Sequence, residues 1–238
     1  MHKLGFIGGT GTIGLFPGVP TEIDTLYGRI EILLAKTEPR IVYVPRHGFR
    51  QQIPPNEVNY RAIIDALLYH GVKHIVSTTI ATRLKEEYGI GDIVVPHDII
   101  DLTSNRQQGF DPSKKIFVDM RNVFSEELRR ILIEKARETG FTVHDRGVVI
   151  VIDGPRFETP AEAKMYRMLG GDLISMSLAP EAFMAKEAGL EYVAIAIILN
   201  DPADKAPKKS REEIIGAMEK IRDKIRDLIL KVAKEVVK

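Results

Sequence analysis

Short apolar runs bounded by glycine, proline or charge recur along the chain. Lys3–Ile7, Arg29–Leu34, Ile41–Val44, His74–Ser77, Asp92–Pro96, Gly147–Ile152, Asp172–Met176 and Tyr192–Leu199 read as strands. Several are β-branched and apolar at successive positions, the pattern of strands covered on both faces. Between them the spacing becomes helical. Tyr60–His70 sets Ile63, Ile64, Leu67 and Leu68 on one stripe before Gly71, and Ser125–Thr139 carries Leu128, Ile131, Leu132 and Lys135–Ala136 before Gly140, a C-cap signal. Two further helix starts are explicit. Thr159-Pro160-Ala161-Glu162 combines an N-cap threonine, a proline at the first helical position and a capping-box glutamate. Ser210-Arg211-Glu212-Glu213 repeats the box and opens a last helix whose stripe (Ile214, Met218, Ile221, Ile225, Leu228, Val232) is expected to pack on the core. Strands alternating with helices predict an α/β fold. No repeat, low-complexity tract or linker breaks the pattern, so residues 1–238 are expected to form one domain.

Composition narrows the chemistry. The 34 basic and 33 acidic side chains are interspersed and leave a formal net charge of +1, which removes the usual reason to expect a nucleic-acid or anionic-membrane partner. No cysteine is present, so disulfides, thiolate catalysis and cysteine-ligated zinc are excluded. The opening MHKLGFIGGT has no long apolar segment, and nowhere do about 18 apolar residues run together, so neither a signal peptide nor a membrane span is expected. A cytoplasmic protein is the expectation.

Candidate chemistry gathers behind the strands. Gly8-Gly9-Thr10-Gly11-Thr12-Ile13-Gly14 formally contains G-x-G-x-x-G from Gly9. A dinucleotide site needs a helix there to receive the pyrophosphate. The continuation Leu15-Phe16-Pro17-Gly18-Val19-Pro20 leaves no room for one, and no Lys-Ser/Thr pair supports a Walker loop. What remains is a loop of backbone N–H groups with the Thr10 hydroxyl, either an ordinary tight turn or a nest for a small oxyanion. Arg46-His47 follows another strand and offers a bidentate fork with a neighbouring donor. Ser77-Thr78-Thr79 adds hydroxyls at a third strand end, which makes the constellation hard to explain as structure alone. Further on, the capping box puts Glu158 just before a helix, with Phe157 beside it. A carboxylate next to an aromatic face suits a flat ligand with an N–H to donate.

These residues resemble the trimeric purine nucleoside phosphorylase and methylthioadenosine phosphorylase family. The resemblance is carried by Gly8-Gly9-Thr10-Gly11, Arg46-His47-Gly48, Asn59-Tyr60-Arg61-Ala62, Gly154-Pro155-Arg156-Phe157, Met176-Ser177, and Pro180-Glu181 followed by Ala185-Lys186-Glu187-Ala188-Gly189. It implies a single α/β domain with a mixed central β-sheet flanked by helices. It also implies phosphorolysis of a purine nucleoside to free base and a ribose 1-phosphate, with phosphate as co-substrate and neither cofactor nor metal. Thr10, Arg46, His47, Thr79 and Ser177 would hold phosphate; Met176 would lie against the ribose, Phe157 and Glu158 against the base, Asn200 at the purine N7 edge, and Arg211 near the 5′ end. Asn200, His47 and Ser177 would be the catalytic members. A homotrimer or homohexamer is implied, with Asp101–Lys115, which carries Phe110, as the segment lent to a neighbouring pocket.

Two positions bear on the base. The methylthioadenosine branch usually has aspartate at the place of Asn200 and a small hydroxyl residue at that of Glu158, whereas the 6-oxopurine branch usually has Asn and Glu, as here. A 6-oxopurine presents N1–H to a carboxylate; adenine presents a bare acceptor, so a 6-oxopurine is favoured. The sugar stays open between a ribose and its 5′-methylthio form, and methylthioadenosine phosphorolysis stays an alternative. Some positions depart from the family. Thr82 and Arg83 stand where glycine and serine are common, and Gln51 and Asn56 replace frequent histidines. Arg83 either enters the cleft, which would favour altered specificity or a binding-only relative, or points outward to pair with Glu86 or Glu87.

Overall fold

The computed structural model describes residues 3–37 and 40–237. Strands β1 (Lys3–Gly8), β2 (Pro20–Thr25), β3 (Gly28–Leu34) and β4 (Ile41–Pro45) precede helix α1 (Tyr60–Tyr69); β5 (Val72–Arg83), β6 (Ile93–Val94) and β7 (Asp98–Asp101) lead to α2 (Glu126–Glu138). Then come β8 (Val143–His144), β9 (Val148–Val151), α3 (Pro160–Met168), β10 (Leu173–Ser175), α4 (Glu181–Glu187), β11 (Glu191–Asn200) and α5 (Arg211–Val236). The described strands join in one mixed sheet, in the order β2-β3-β4-β1-β5-β10-β9-β7, while β11 also pairs β5 and carries β6 and then β8. This is the single-domain α/β fold with a mixed central sheet that the sequence implies.

The apolar pattern explains the layers. Along β11, Tyr192, Ala194, Ala196 and Ile198 join a core with α1 and α4, whereas Val193, Ile195, Ile197 and Leu199 join a second core with α2 and α5. Strict alternation with both faces buried makes β11 a central strand. Helix α3 caps a third cluster through Ala163 and Tyr166 against Ile150, Ile152 and Ile174. The capping boxes at Thr159 and Ser210 form as the sequence predicts, each with its glutamate bonded back to the N-cap N–H. Gly71 and Gly140 end α1 and α2 in left-handed geometry.

Five elements depart from the predicted pattern. Strands β2 and β7 are half-exposed and rich in polar residues, so they carry little apolar signal. Strand β8 is two residues long, and α4 has seven. The largest difference is β5, which runs to Arg83 instead of stopping at Ser77. Its second half lies between β10 and β11, where Thr82 pairs with both Ile174 and Asn200. No helix follows the first glycine loop, in keeping with the rejected dinucleotide reading.

Strand register assembles the site. Gly8 sits opposite Pro45, and Ile7 opposite Ser77. Gly9-Thr10, Arg46-His47 and Thr78-Thr79 therefore emerge side by side. The β5–β11 register then places Thr79 beside Ala196 and Thr82 beside Asn200.

Candidate active site

A cavity of about 270 Å³ opens where these strands end. It brings together every site residue expected from the sequence: Thr10, Arg46, His47, Thr79, Phe157, Glu158, Met176, Ser177, Asn200 and Arg211. Ser175, Thr82, Ile214 and Lys209 line it as well.

At one end lies a buried ion pair. Arg46 Nε donates to Glu181 Oε2 at 2.8 Å, and Nη2 donates to Glu181 Oε1 at 3.0 Å and to Ser77 Oγ at 2.6 Å. Nη1 donates to the Thr78 carbonyl at 2.8 Å. Both side chains are closed to solvent. Glu181 also accepts from Ser77 Oγ and Tyr192 OH, each at 2.6 Å. Burial opposes the charge on Arg46, but the Glu181 carboxylate outweighs it and holds the guanidinium pKa above its ordinary value. Burial likewise pushes the Glu181 carboxyl up, while Arg46 and the hydroxyl bonds pull it below the usual range. The bidentate fork expected to meet an anion is thus committed to Glu181. Of five guanidinium N–H groups, one on Nη1, next to Gly9, has no partner among the described residues.

His47 differs from expectation too. Its Nδ1–H donates to the Ile53 carbonyl at 2.9 Å. Burial, then the adjacent Arg46 charge, lowers its pKa to about 4. The ring is therefore neutral near pH 7 and Nε2 is an acceptor, not the extra donor the sequence led one to expect. Thr79 Oγ1 and Ser175 Oγ lie 2.7 Å apart, and Ser175 Oγ accepts the Ser177 N–H at 3.0 Å. Glycine is required in the neighbouring loop: Gly11 has φ +82°, and a Cβ there would fall 2.5 Å from Met218 of α5.

The other end is built around Glu158. Its Oε1 accepts from the Ala203 N–H at 3.0 Å and from Lys208 Nζ at 2.5 Å. Its Oε2 is closed to solvent and has no hydrogen-bond partner among the described residues. Lys208 Nζ also reaches the Asp201 carbonyl (2.6 Å) and Thr82 Oγ1 (3.4 Å), and it lies 5.3 Å from the Phe157 ring centre. Asn200 Oδ1 accepts the Lys209 N–H at 3.3 Å, which leaves its amide NH₂ as the group for a ligand. Met176 packs against Gly154, whose missing side chain makes room for the sulfur.

Arg83 is absent from the cavity lining. It turns outward to Asp201 Oδ1 (2.7 Å) and the Tyr88 carbonyl (2.8 Å), and to the Glu86 carbonyl rather than to the Glu86 or Glu87 carboxylates. Gln51 and Asn56 lie outside the lining. The segment expected to be lent is held on its own chain. Arg106 donates to the carbonyls of Ala179, Asp153 and Met176, and Phe110 packs against Tyr27. Phe117, beyond that segment, is 89 % exposed. Sequence reasoning missed Lys208, Ser175 and the pairing role of Glu181. Only Glu181 carried a signal, as part of the quoted Pro180-Glu181 motif.

Known proteins with the same architecture share this arrangement of strands. A methylthioadenosine phosphorylase from Schistosoma mansoni, solved with adenine, superposes with a TM-score of 0.92 at 30% identity, covering 100% of this chain and 92% of that one. An S-methyl-5'-thioadenosine phosphorylase of Pyrococcus abyssi is 38% identical across 99% of this chain and 93% of its own length. A probable S-methyl-5'-thioinosine phosphorylase of Methanopyrus kandleri is 35% identical across 96% and 91%, and a 6-oxopurine nucleoside phosphorylase of Pyrococcus furiosus is 35% identical across 97% and 91%. The phosphorylase superfamily pattern matches residues 12–234, from the loop behind β1 to the last turns of α5, and the chain belongs to that superfamily.

Proposed function

We propose that this chain is a purine nucleoside phosphorylase, a pentosyltransferase that cleaves the N-glycosidic bond of a 6-oxopurine nucleoside with inorganic phosphate. The supporting relatives are purine nucleoside phosphorylases. The observation that carries the choice of base is Glu158, a residue of the cavity lining whose buried Oε2 has no partner among the described residues. It suits the N1–H of hypoxanthine or guanine and would repel the bare N1 of adenine. Asn200 complements it, since its NH₂ is left to donate toward N7.

In this reading an oxygen of phosphate bonds to C1′ as the C1′–N9 bond breaks, and the electron pair leaves with the purine. The sugar passes through an oxocarbenium-like state, which the adjacent phosphate stabilises. Asn200 stabilises the charge gathering on the departing base. Phosphate sits against the loop N–H groups, the hydroxyls of Thr10, Thr79 and Ser177, and the remaining N–H of Arg46. His47 Nε2 accepts from a protonated phosphate oxygen or a ribose hydroxyl. Met176 lies against the ribose and Phe157 against the base. Arg211 and Ile214 lie at the 5′ end, where a hydroxymethyl or a methylthio group fits the reading.

Methylthioadenosine phosphorolysis is the second reading, supported by the 38% identical relative. The binding-only alternative loses the support of Arg83, which turns outward, although Thr82 does line the cavity. The test is phosphorolysis of inosine, guanosine, methylthioinosine and methylthioadenosine, each with and without phosphate. Phosphate-dependent cleavage of the 6-oxopurine nucleosides is expected; preference for methylthioadenosine would select the second reading.

A homotrimer or homohexamer in the cytoplasm completes the proposal. Met165, Met168 and Leu169, exposed around the end of α3, support an interface there, and light scattering would give the state. No helix of the described residues is long and apolar enough to cross a membrane.

A further inference from the structure

We propose that Lys208 makes the base site selective for 6-oxopurines without a 2-amino group, so that hypoxanthine nucleosides are preferred over guanine nucleosides. This rests on the 6-oxopurine reading above and deepens it. Guanine presents two adjacent donors, N1–H and N2–H, and a free carboxylate would accept both, one on each oxygen. Glu158 is not free in this way. Each carboxylate oxygen has two lone pairs, and those of Oε1 already face the Ala203 N–H at 3.0 Å and Lys208 Nζ at 2.5 Å. Oε2 has no partner among the described residues. Parallel pairing of two adjacent N–H groups needs an open acceptor on each oxygen, and with Oε1 filled the carboxylate lines up with one N–H, which hypoxanthine satisfies with N1–H.

A guanine seated by the same N1–H brings its 2-amino group toward an oxygen that is already saturated and toward an ammonium. Lys208 offers no relief. Its three N–H bonds reach Glu158 Oε1, the Asp201 carbonyl and Thr82 Oγ1, and its side chain is 14% exposed against 1% for Glu158. The 2-amino donor then meets donors without an acceptor, the arrangement that discriminates most strongly in a buried site.

The ratio of kcat/KM for inosine over guanosine tests this directly, because the two share one ribose. Calorimetry with the free bases hypoxanthine and guanine repeats the comparison without sugar or turnover. The unmodified protein is expected to favour hypoxanthine by about tenfold to a hundredfold in both measurements. Lys208→Met opens a lone pair on Oε1, so the ratio should fall toward one through a gain for guanine. Lys208→Arg keeps a cation on Oε1 and should retain the preference. A ratio near one in the unmodified protein overturns the proposal without any variant, as does a ratio that Lys208→Met leaves unchanged. Preference for adenosine or methylthioadenosine over both would overturn the underlying 6-oxopurine reading instead, so the two failures are distinguishable.

Discussion

Replacing Glu158 by glutamine should invert the choice of base, and the geometry fixes the direction. The amide is the same shape as the carboxylate but has one acceptor and one donor end. The Ala203 N–H and Lys208 Nζ, both donors, stand against the Oε1 position. The amide oxygen must face them, and the NH₂ then takes the place of Oε2, which has no partner among the described residues. A 6-oxopurine would meet donor against donor at N1–H, while adenine N1 would gain a partner. An unpaired buried group costs about 1–3 kcal/mol, and both substrates change in opposite senses, so their ratio should move by about 2–6 kcal/mol. That is between about 30-fold and about 10⁴-fold in relative kcat/KM. Steady-state assays of inosine and adenosine with excess phosphate read it, with circular dichroism as a check on folding. A ratio within about threefold of the unmodified protein's refutes the reasoning. An equal fall for both substrates refutes it as well, since it would give Glu158 a structural role alone.

Glu181→Gln leaves the Arg46 charge buried and unmatched, which should lower stability by about 3 kcal/mol, and added phosphate should raise Tm more in this variant than in the parent. Thermal unfolding with and without phosphate measures both effects. For His47, burial and then Arg46 lower the ring pKa from 6.5 to about 4. A base whose folded pKa is depressed adds stability above pH 6.5 and loses it as pH falls toward 4, here on the order of 3 kcal/mol, so urea unfolding of His47→Gln should lose that part of the pH dependence. Gly11→Ala forces a Cβ into left-handed backbone 2.5 Å from Met218 and should cost about 3 kcal/mol in the same assay.

All ten site residues expected from the sequence line one cavity, because the motifs that carry them sit at strand ends and a parallel register brings strand ends together. What each residue does there was less legible. Arg46 reads as an anion fork until its partner is known, and Glu181 lies 135 residues away. Lys208 sits in a polar loop, where a lysine reads as solvent-facing; its burial depends on Thr82 and Glu158 converging from two other segments on a loop that also supplies the Asp201 carbonyl. The same reason hid the second half of β5. Thr78 and Thr79 look like a strand end because hydroxyls are costly to bury unpaired. In the fold, Thr78 accepts the Gly9 N–H and Thr79 bonds Ser175, partners from distant parts of the chain. Strands β2 and β7 have exposed or half-exposed positions throughout, so no apolar period marks them.

The two ends of the cavity share a design that bears on how phosphate is used. Arg46 is matched by Glu181 at one end, and Lys208 by Glu158 at the other. A phosphate seated beside Arg46 would therefore meet a nearly neutral ion pair, with one N–H to spare, together with hydroxyls, backbone N–H groups and a neutral imidazole. Dipoles of this kind orient an anion without cancelling its charge. A fully unmatched arginine would bind phosphate more tightly in the ground state, but it would draw that charge away from the sugar. Binding that is equal in ground and transition states does not speed the chemical step. A phosphate that keeps its charge is the better partner for a cationic sugar, and in the proposed reaction the Arg46–Glu181 pair would let the pocket hold an anion while leaving it that charge.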